Sequence, residues 1–111
     1  METFRKGDIV IFPFPYTDLS EKKLRPCLVI SDVMQDDLML CQITSNNSRK
    51  DKYSIGLGST ETIDGTLSID SLIRTNMIFT ASIEQIKKKI CRIDKKKYSE
   101  VAKKIQDIIE I

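Results

Sequence analysis

Histidine is absent from the sequence, and so is tryptophan. Without histidine there is no imidazole-based triad, no histidine metal site and no paired-histidine route to phosphodiester cleavage. The three cysteines, Cys27, Cys41 and Cys91, are odd in number and far apart, with no CxxC pair. That argues against a disulfide framework and against a zinc site, and leaves buried, reduced thiols as the expectation. No apolar run approaches the roughly 18 residues that a membrane span requires. The start, METFRKGDIV, lacks the apolar core of a secretory signal. A cytoplasmic protein without a membrane partner is expected, and 111 residues fit one domain over 1–111.

What is present is unevenly charged. Nine basic residues lie between Lys87 and Lys104 against Asp94 and Glu100, leaving nine basic and fourteen acidic residues in the remainder. A basic stretch of this kind attracts nucleic acid or an acidic partner peptide, and equally forms a solvated lysine face.

Strand-forming runs dominate the first two thirds. DIVIF (8–12) is β-branched and aromatic, bounded by Gly7 and by Pro13 and Pro15, which predicts a first strand with a rigid exit. CLVIS (27–31) and LMLCQIT (38–44) read as neighbouring antiparallel strands across a turn-rich link. A polar loop over 45–52 precedes YSIGL, with short strands expected at TLSI, SLIRT and MIFT and a last one over 87–93. Asp64-Gly65 is a hairpin-type signal. Only the end is helical: Tyr98, Val101, Ala102, Ile105, Ile108 and Ile109 form one apolar stripe, with Asp94 as N-cap. Five to seven short antiparallel strands with one terminal amphipathic helix imply an α+β fold, a small curled barrel or sheet.

Five segments carry a resemblance. KGDIV (6–10), PFPYTDLS (13–20), RPCLVIS (25–31), QITS (42–45) and SLIRTNMIFT (71–80) occur in the order and spacing of the MazF/PemK-type toxins. The sequence resembles that family along nearly its whole length. The resemblance implies an SH3-like barrel and a homodimer. It further implies a type II toxin that cuts single-stranded RNA with neither metal nor cofactor, and a cognate antitoxin that blocks the site.

Such cleavage needs attack by the 2′-hydroxyl, a base for its proton, an acid for the departing 5′-oxygen, and cations over the phosphorane. Arg25 offers a bidentate fork to phosphate, and similarity to the family gives the arginine of RP a catalytic role. The family also places a threonine at the position of Thr44, whose hydroxyl, like that of Ser45, can donate to phosphate oxygens. Arg74 is a second matched cation on the RNA-binding side. Relatives often carry an acid where this sequence has Asn76, an amide that cannot serve as a base. Glu21 matches a loop carboxylate of some relatives and is the substitute base. Tyr16 and Lys23, in or beside the same loop, complete the RNA-binding set. Each residue also has a plainer reading: a structural arginine at a loop base, a turn signal, a solvated charge. Two other functions remain open, a gyrase-poisoning toxin on the same barrel and a catalytically silent binding protein.

Overall fold

The computed structural model describes residues 3–15 and 22–111. Seven strands form one antiparallel sheet: β1 (Asp8–Pro15), β2 (Lys22–Val29), β3 (Asp37–Thr44), β4 (Ser54–Leu57), β5 (Thr62–Ile63), β6 (Ser71–Ser82) and β7 (Lys88–Ile93). The helix α1 (Lys95–Ile109) follows, capped by Asp94, whose carboxylate accepts from the Lys97 amide at 2.8 Å.

The spatial order is β4-β6-β3-β2-β1-β7-β5. Laid flat, seven strands would hold the outer two about 29 Å apart. Yet β4 and β5 are joined only by residues 58–61, a link that reaches roughly 18 Å when fully extended. The sheet therefore curls until its edges approach, which makes it a nearly closed barrel. Lys97 of the helix sutures the seam: its ammonium donates to the Gly56 carbonyl of β4 at 3.1 Å and pairs with Glu61 at 3.2 Å. Glu61 in turn accepts from the Gly58 amide at 2.7 Å.

Both faces of the central strands are covered, which is why their sequences are continuous apolar runs rather than alternating ones. One cluster holds Ile9, Leu28, Cys41, Ile43, Ile73 and Ile93 under Val101 of the helix. The other holds Val10, Phe12, Cys27, Val29, Leu38 and Leu40. All three thiols are buried and unpaired, as the sequence implies.

The basic stretch before the helix is partly structural. Asp8 is fully buried, and Arg92 and Lys89 of β7 approach its carboxylate at 3.2 and 3.6 Å. The Arg5 amide donates to it at 3.0 Å. The Arg92 Nε–H lies off the line of the carboxylate, so charge rather than a directed bond holds that pair. Gly7, at φ +96°, turns the chain into this contact, and a side chain there would crowd the Arg92 guanidinium. Lys89, Arg92 and Lys97 thus spend their charge within the fold, while Lys87, Lys88, Lys95 and Lys96 are exposed.

Several sequence expectations are corrected. Strand β1 does not end before Pro13 but continues to Pro15. Its pairing with β7 stops at Ile11, and the carbonyl of Ile11 accepts from Lys87 on that side. By alternation Pro13 and Pro15 turn their nitrogens to the same unpaired flank, where a missing N–H breaks no ladder bond. SLIRT and MIFT are one strand, β6, because a bulge absorbs the residues between them. TLSI is not a strand; β5 precedes the Asp64-Gly65 turn instead of following it. At the far end of the stripe Ile108 and Ile109 are exposed, since the helix outruns the sheet it packs on.

The seam contact predicts a pH dependence. The Gly58 amide, and then Lys97, hold the Glu61 carboxyl below its usual range. A depressed carboxyl stabilises the fold above its unfolded pKa, and that contribution fades as pH falls through the lower folded value. Stability of Glu61→Gln, followed by urea titration, is therefore expected to fall less than that of the parent across the acid range. Parallel curves would remove the seam from the account of acid sensitivity.

Candidate active site

Pro26 decides how β2 meets β3. The two strands pair at Val29–Leu40, Leu28–Cys41 and Cys27–Gln42, and the pairing stops there. The next residue on β2 is Pro26, which has no N–H to give to β3. On its other side β2 stays paired with β1 through Pro26–Ile11 and Arg25–Phe12 down to Lys22. Arg25 is thus carried inside a strand, not at its start as the sequence suggests. Continuing the register sets Arg25 across the opening from Thr44, the last residue of β3.

Side chains alternate along strands, and cross-strand partners share a face. Thr44 pairs with Leu72, so Arg74, two residues further along β6, falls on that same face before the bulge. Gln42 shares it through its pairing with Cys27, and Arg25 through Phe12. Arg25, Thr44 and Arg74 are all half-buried; Lys23, Ser45 and Asn76 are exposed. Tyr16 and Glu21 lie outside the described residues. The Arg74 Nε is buried without a hydrogen-bond partner among the described residues, although Ser54 of β4 lies beside it in register. An unpartnered guanidinium N–H on a half-open face is suited to an anionic ligand.

The wall of this face is aromatic. Phe12, Phe14 and Phe79 meet edge to face with ring centroids 5.3, 5.1 and 5.4 Å apart. Phe14 and Phe79 are packed against the second core cluster. The thiols beneath are inert: burial, then the neighbouring Cys41, pushes Cys27 up to about 12, and burial does the same to Cys41 despite the opposing charge of Arg74. The Cys41 thiol donates to the Arg74 carbonyl at 2.9 Å instead. The strand segments 22–26, 42–46 and 72–78 contain no carboxylate at all.

The loop after Thr44 is stitched locally. The Thr44 hydroxyl accepts from the Asn46 amide at 3.1 Å, Asn46 Oδ1 accepts from the Ser48 amide at 3.0 Å, and Asp51 accepts from the Tyr53 amide at 2.9 Å. Thr75, fully buried in the β6 bulge, closes the far end by donating its hydroxyl to the Tyr53 carbonyl at 2.5 Å. Sequence reasoning passes over Thr75 as strand filler and over Gln42 as part of QITS. The available signal for Gln42 is a polar residue on the parity of Thr44 inside an otherwise apolar run.

A family model of PemK-like, MazF-like toxins of type II toxin-antitoxin systems matches residues 5–109. The chain belongs to that family. Solved structures agree on the fold. MazF from Deinococcus radiodurans superposes with a TM-score of 0.74 at 14% identity, covering 100% of both chains. The same protein in its MazE-MazF complex gives 0.72 at 14%, covering 100% of the toxin described here and 99% of that chain. An endoribonuclease from a mycobacterial species, in complex with its cognate antitoxin, gives 0.75 at 10%, covering 100% of this toxin and 97% of that chain. No curated protein sequence matches significantly. The toxin is thus a MazF-like barrel whose sequence has diverged widely from these structural neighbours.

Thr75→Val keeps the shape of the side chain but removes its donor. The toxin is expected to lose about 1 kcal/mol of unfolding free energy, the ordinary net worth of one hydrogen bond. Hydrogen exchange is expected to quicken at the amides of Ser54 and Tyr53, which the closed loop protects. A variant with unchanged exchange there would show that the loop does not depend on this tie.

Proposed function

We propose that the toxin is a metal-independent endoribonuclease that cuts single-stranded RNA, with Arg25 as its main catalytic cation. The observation that carries this reading is the opening of the sheet at Pro26, with Arg25, Thr44 and Arg74 on one face around it. The 2′-oxygen attacks phosphorus and forms a new O–P bond while the P–O5′ bond breaks, giving a 2′,3′-cyclic phosphate and a 5′-hydroxyl. Arg25 holds the non-bridging oxygens in its fork and stabilises the charge of the phosphorane. Thr44 donates its hydroxyl to the same phosphate, while its oxygen keeps the Asn46 amide. Arg74, Ser45 and Asn76, with Lys23 of β2 and Tyr16, hold the RNA on either side. Glu21 takes the 2′-hydroxyl proton, because the strands around the opening supply no carboxylate, and the departing 5′-oxygen takes its proton from solvent water.

Family membership carries a cognate antitoxin as partner. The mycobacterial and Deinococcus relatives crystallised with their antitoxins support the same expectation. We propose with it a homodimer acting in the cytoplasm, where messenger RNA is available. Among the described residues no helix is long and apolar enough to cross a membrane.

The direct test is incubation of purified toxin with single-stranded RNA in EDTA, with the fragment ends identified. Fragments ending in a cyclic phosphate are expected. Arg25→Ala is expected to lower cleavage on the order of 100-fold or more while the thermal melt is preserved, and Arg25→Lys to restore little of it. Near-parental cutting by folded Arg25→Ala would reject the assignment.

The base is tested separately. Glu21→Gln is expected to depress cleavage far more than Asn76→Ala. The reverse order would discard Glu21, and silence of the parent in the RNA assay would favour a binding protein that has lost catalysis.

A further inference from the structure

Gln42 stands where the sheet is interrupted on both sides. Toward β2 it is the last residue of β3 with a partner, Cys27, before Pro26 ends the pairing. Toward β6 the register jumps from Cys41–Ile78 to Ile43–Ile73, so that residues 74–77 of β6 bulge out against Gln42 alone. A bulge of this kind re-aims side chains and ends pairing locally. Pairing therefore breaks on both flanks of one residue, beside it on β2 and opposite it on β6, and its side chain is an amide in a run of apolar residues.

The Gln42 side chain is half-buried, on the face of Thr44 two residues along and of Arg25 across the opening. Among the described residues nothing hydrogen-bonds to its amide, while most polar side chains around it are engaged: Thr44 with Asn46, Thr75 with Tyr53. A half-buried amide with neither partner nor charge contributes little to the fold. It presents one donor and one acceptor in a single plane, the pattern that matches the edge of a nucleobase. Phosphate is the cations' ligand; a neutral, planar, two-way hydrogen-bonding group between them suits a base.

We infer that Gln42 is a specificity-determining residue, whose side-chain amide reads the edge of one base next to the cut phosphate. The inference rests on the RNA-cleavage reading above and deepens it. A base with a donor beside an acceptor, adenine foremost, satisfies both amide groups at once. Read on the N7 edge, guanine offers two acceptors and leaves the amide carbonyl unpaired, and the pyrimidines offer no ring acceptor there; that penalty is the source of discrimination.

The experiment compares the parent with Gln42→Met and Gln42→Glu on short single-stranded RNAs that carry each of the four bases at every position flanking the cut. Initial cleavage rates and anisotropy binding are measured on the same set. In the parent, one flanking position is expected to show a preference of about tenfold or more, the size typical of one bidentate contact. Gln42→Met, close in volume, is expected to flatten that position while preferences elsewhere persist. Gln42→Glu, an acceptor only, is expected to shift it toward cytosine, whose amino group donates. A folded Gln42→Met protein with the parental preference at every position would overturn the inference and leave the nuclease reading intact. If the parent binds RNA without cutting it, the nuclease reading fails by itself and base discrimination in binding still decides Gln42. A parent that neither cuts nor binds would sink both.

Discussion

Pro26 has no amide hydrogen, and the candidate site follows from that lack. A strand placed between two neighbours normally donates to both, and β2 does so until Cys27. Proline can stay in the sheet only where one side asks nothing of it. Here the β1 side keeps its register while the β3 side is released. The result is a gap in an otherwise continuous barrel, between two strands whose backbones are still fixed by β1 and β6. An arginine beside that gap is held by a ladder on one flank and faces an opening on the other. Donors on a rigid backbone need little rearrangement when charge develops, which is what the role proposed for Arg25 asks of it.

Charge in this toxin divides between structure and surface in a way that composition does not display. The buried carboxylate of Asp8 gathers Lys89 and Arg92 from the strand next to it, and Lys97 reaches back over the seam to Glu61. A buried charge left unpaired costs several kcal/mol, so Lys89 and Arg92 are committed to Asp8 before any ligand arrives. By contrast the guanidinium of Arg74, on the face that bears Arg25, keeps a buried N–H without a partner among the described residues. The densest run of lysines is thus in part structural.

Much of this was legible in the chain. The apolar runs around Ile9, Leu28 and Leu40 announced strands, and Asp94 followed by the 3.6-residue stripe announced the helix. The RP pair, the threonine of QITS and the arginine of LIRT were singled out through the family resemblance, and the structure sets all three on one face. Strand ends were less legible. Pro13 and Pro15 read as stops because a local rule cannot know that β7 has already left that flank of β1. SLIRT and MIFT read as two strands because a bulge in the middle of a run looks, in sequence, like a break. Thr75 and Gln42 went unremarked since their importance depends on what lies opposite them, Tyr53 in one case and an interrupted ladder in the other.

The sequence by itself determined most of the element types and the burial of the thiols, since propensity, periodicity and side-chain chemistry are local properties. Only the tertiary structure decided the curling of the sheet, because it is the short link 58–61 between strands at opposite edges that forces closure. The tertiary structure also decided which lysines are spent on Asp8 and Glu61, and which face Arg25, Thr44, Arg74 and Gln42 share. Those are matters of register, and a shift of one residue would have turned each of these side chains to the opposite side of the barrel wall.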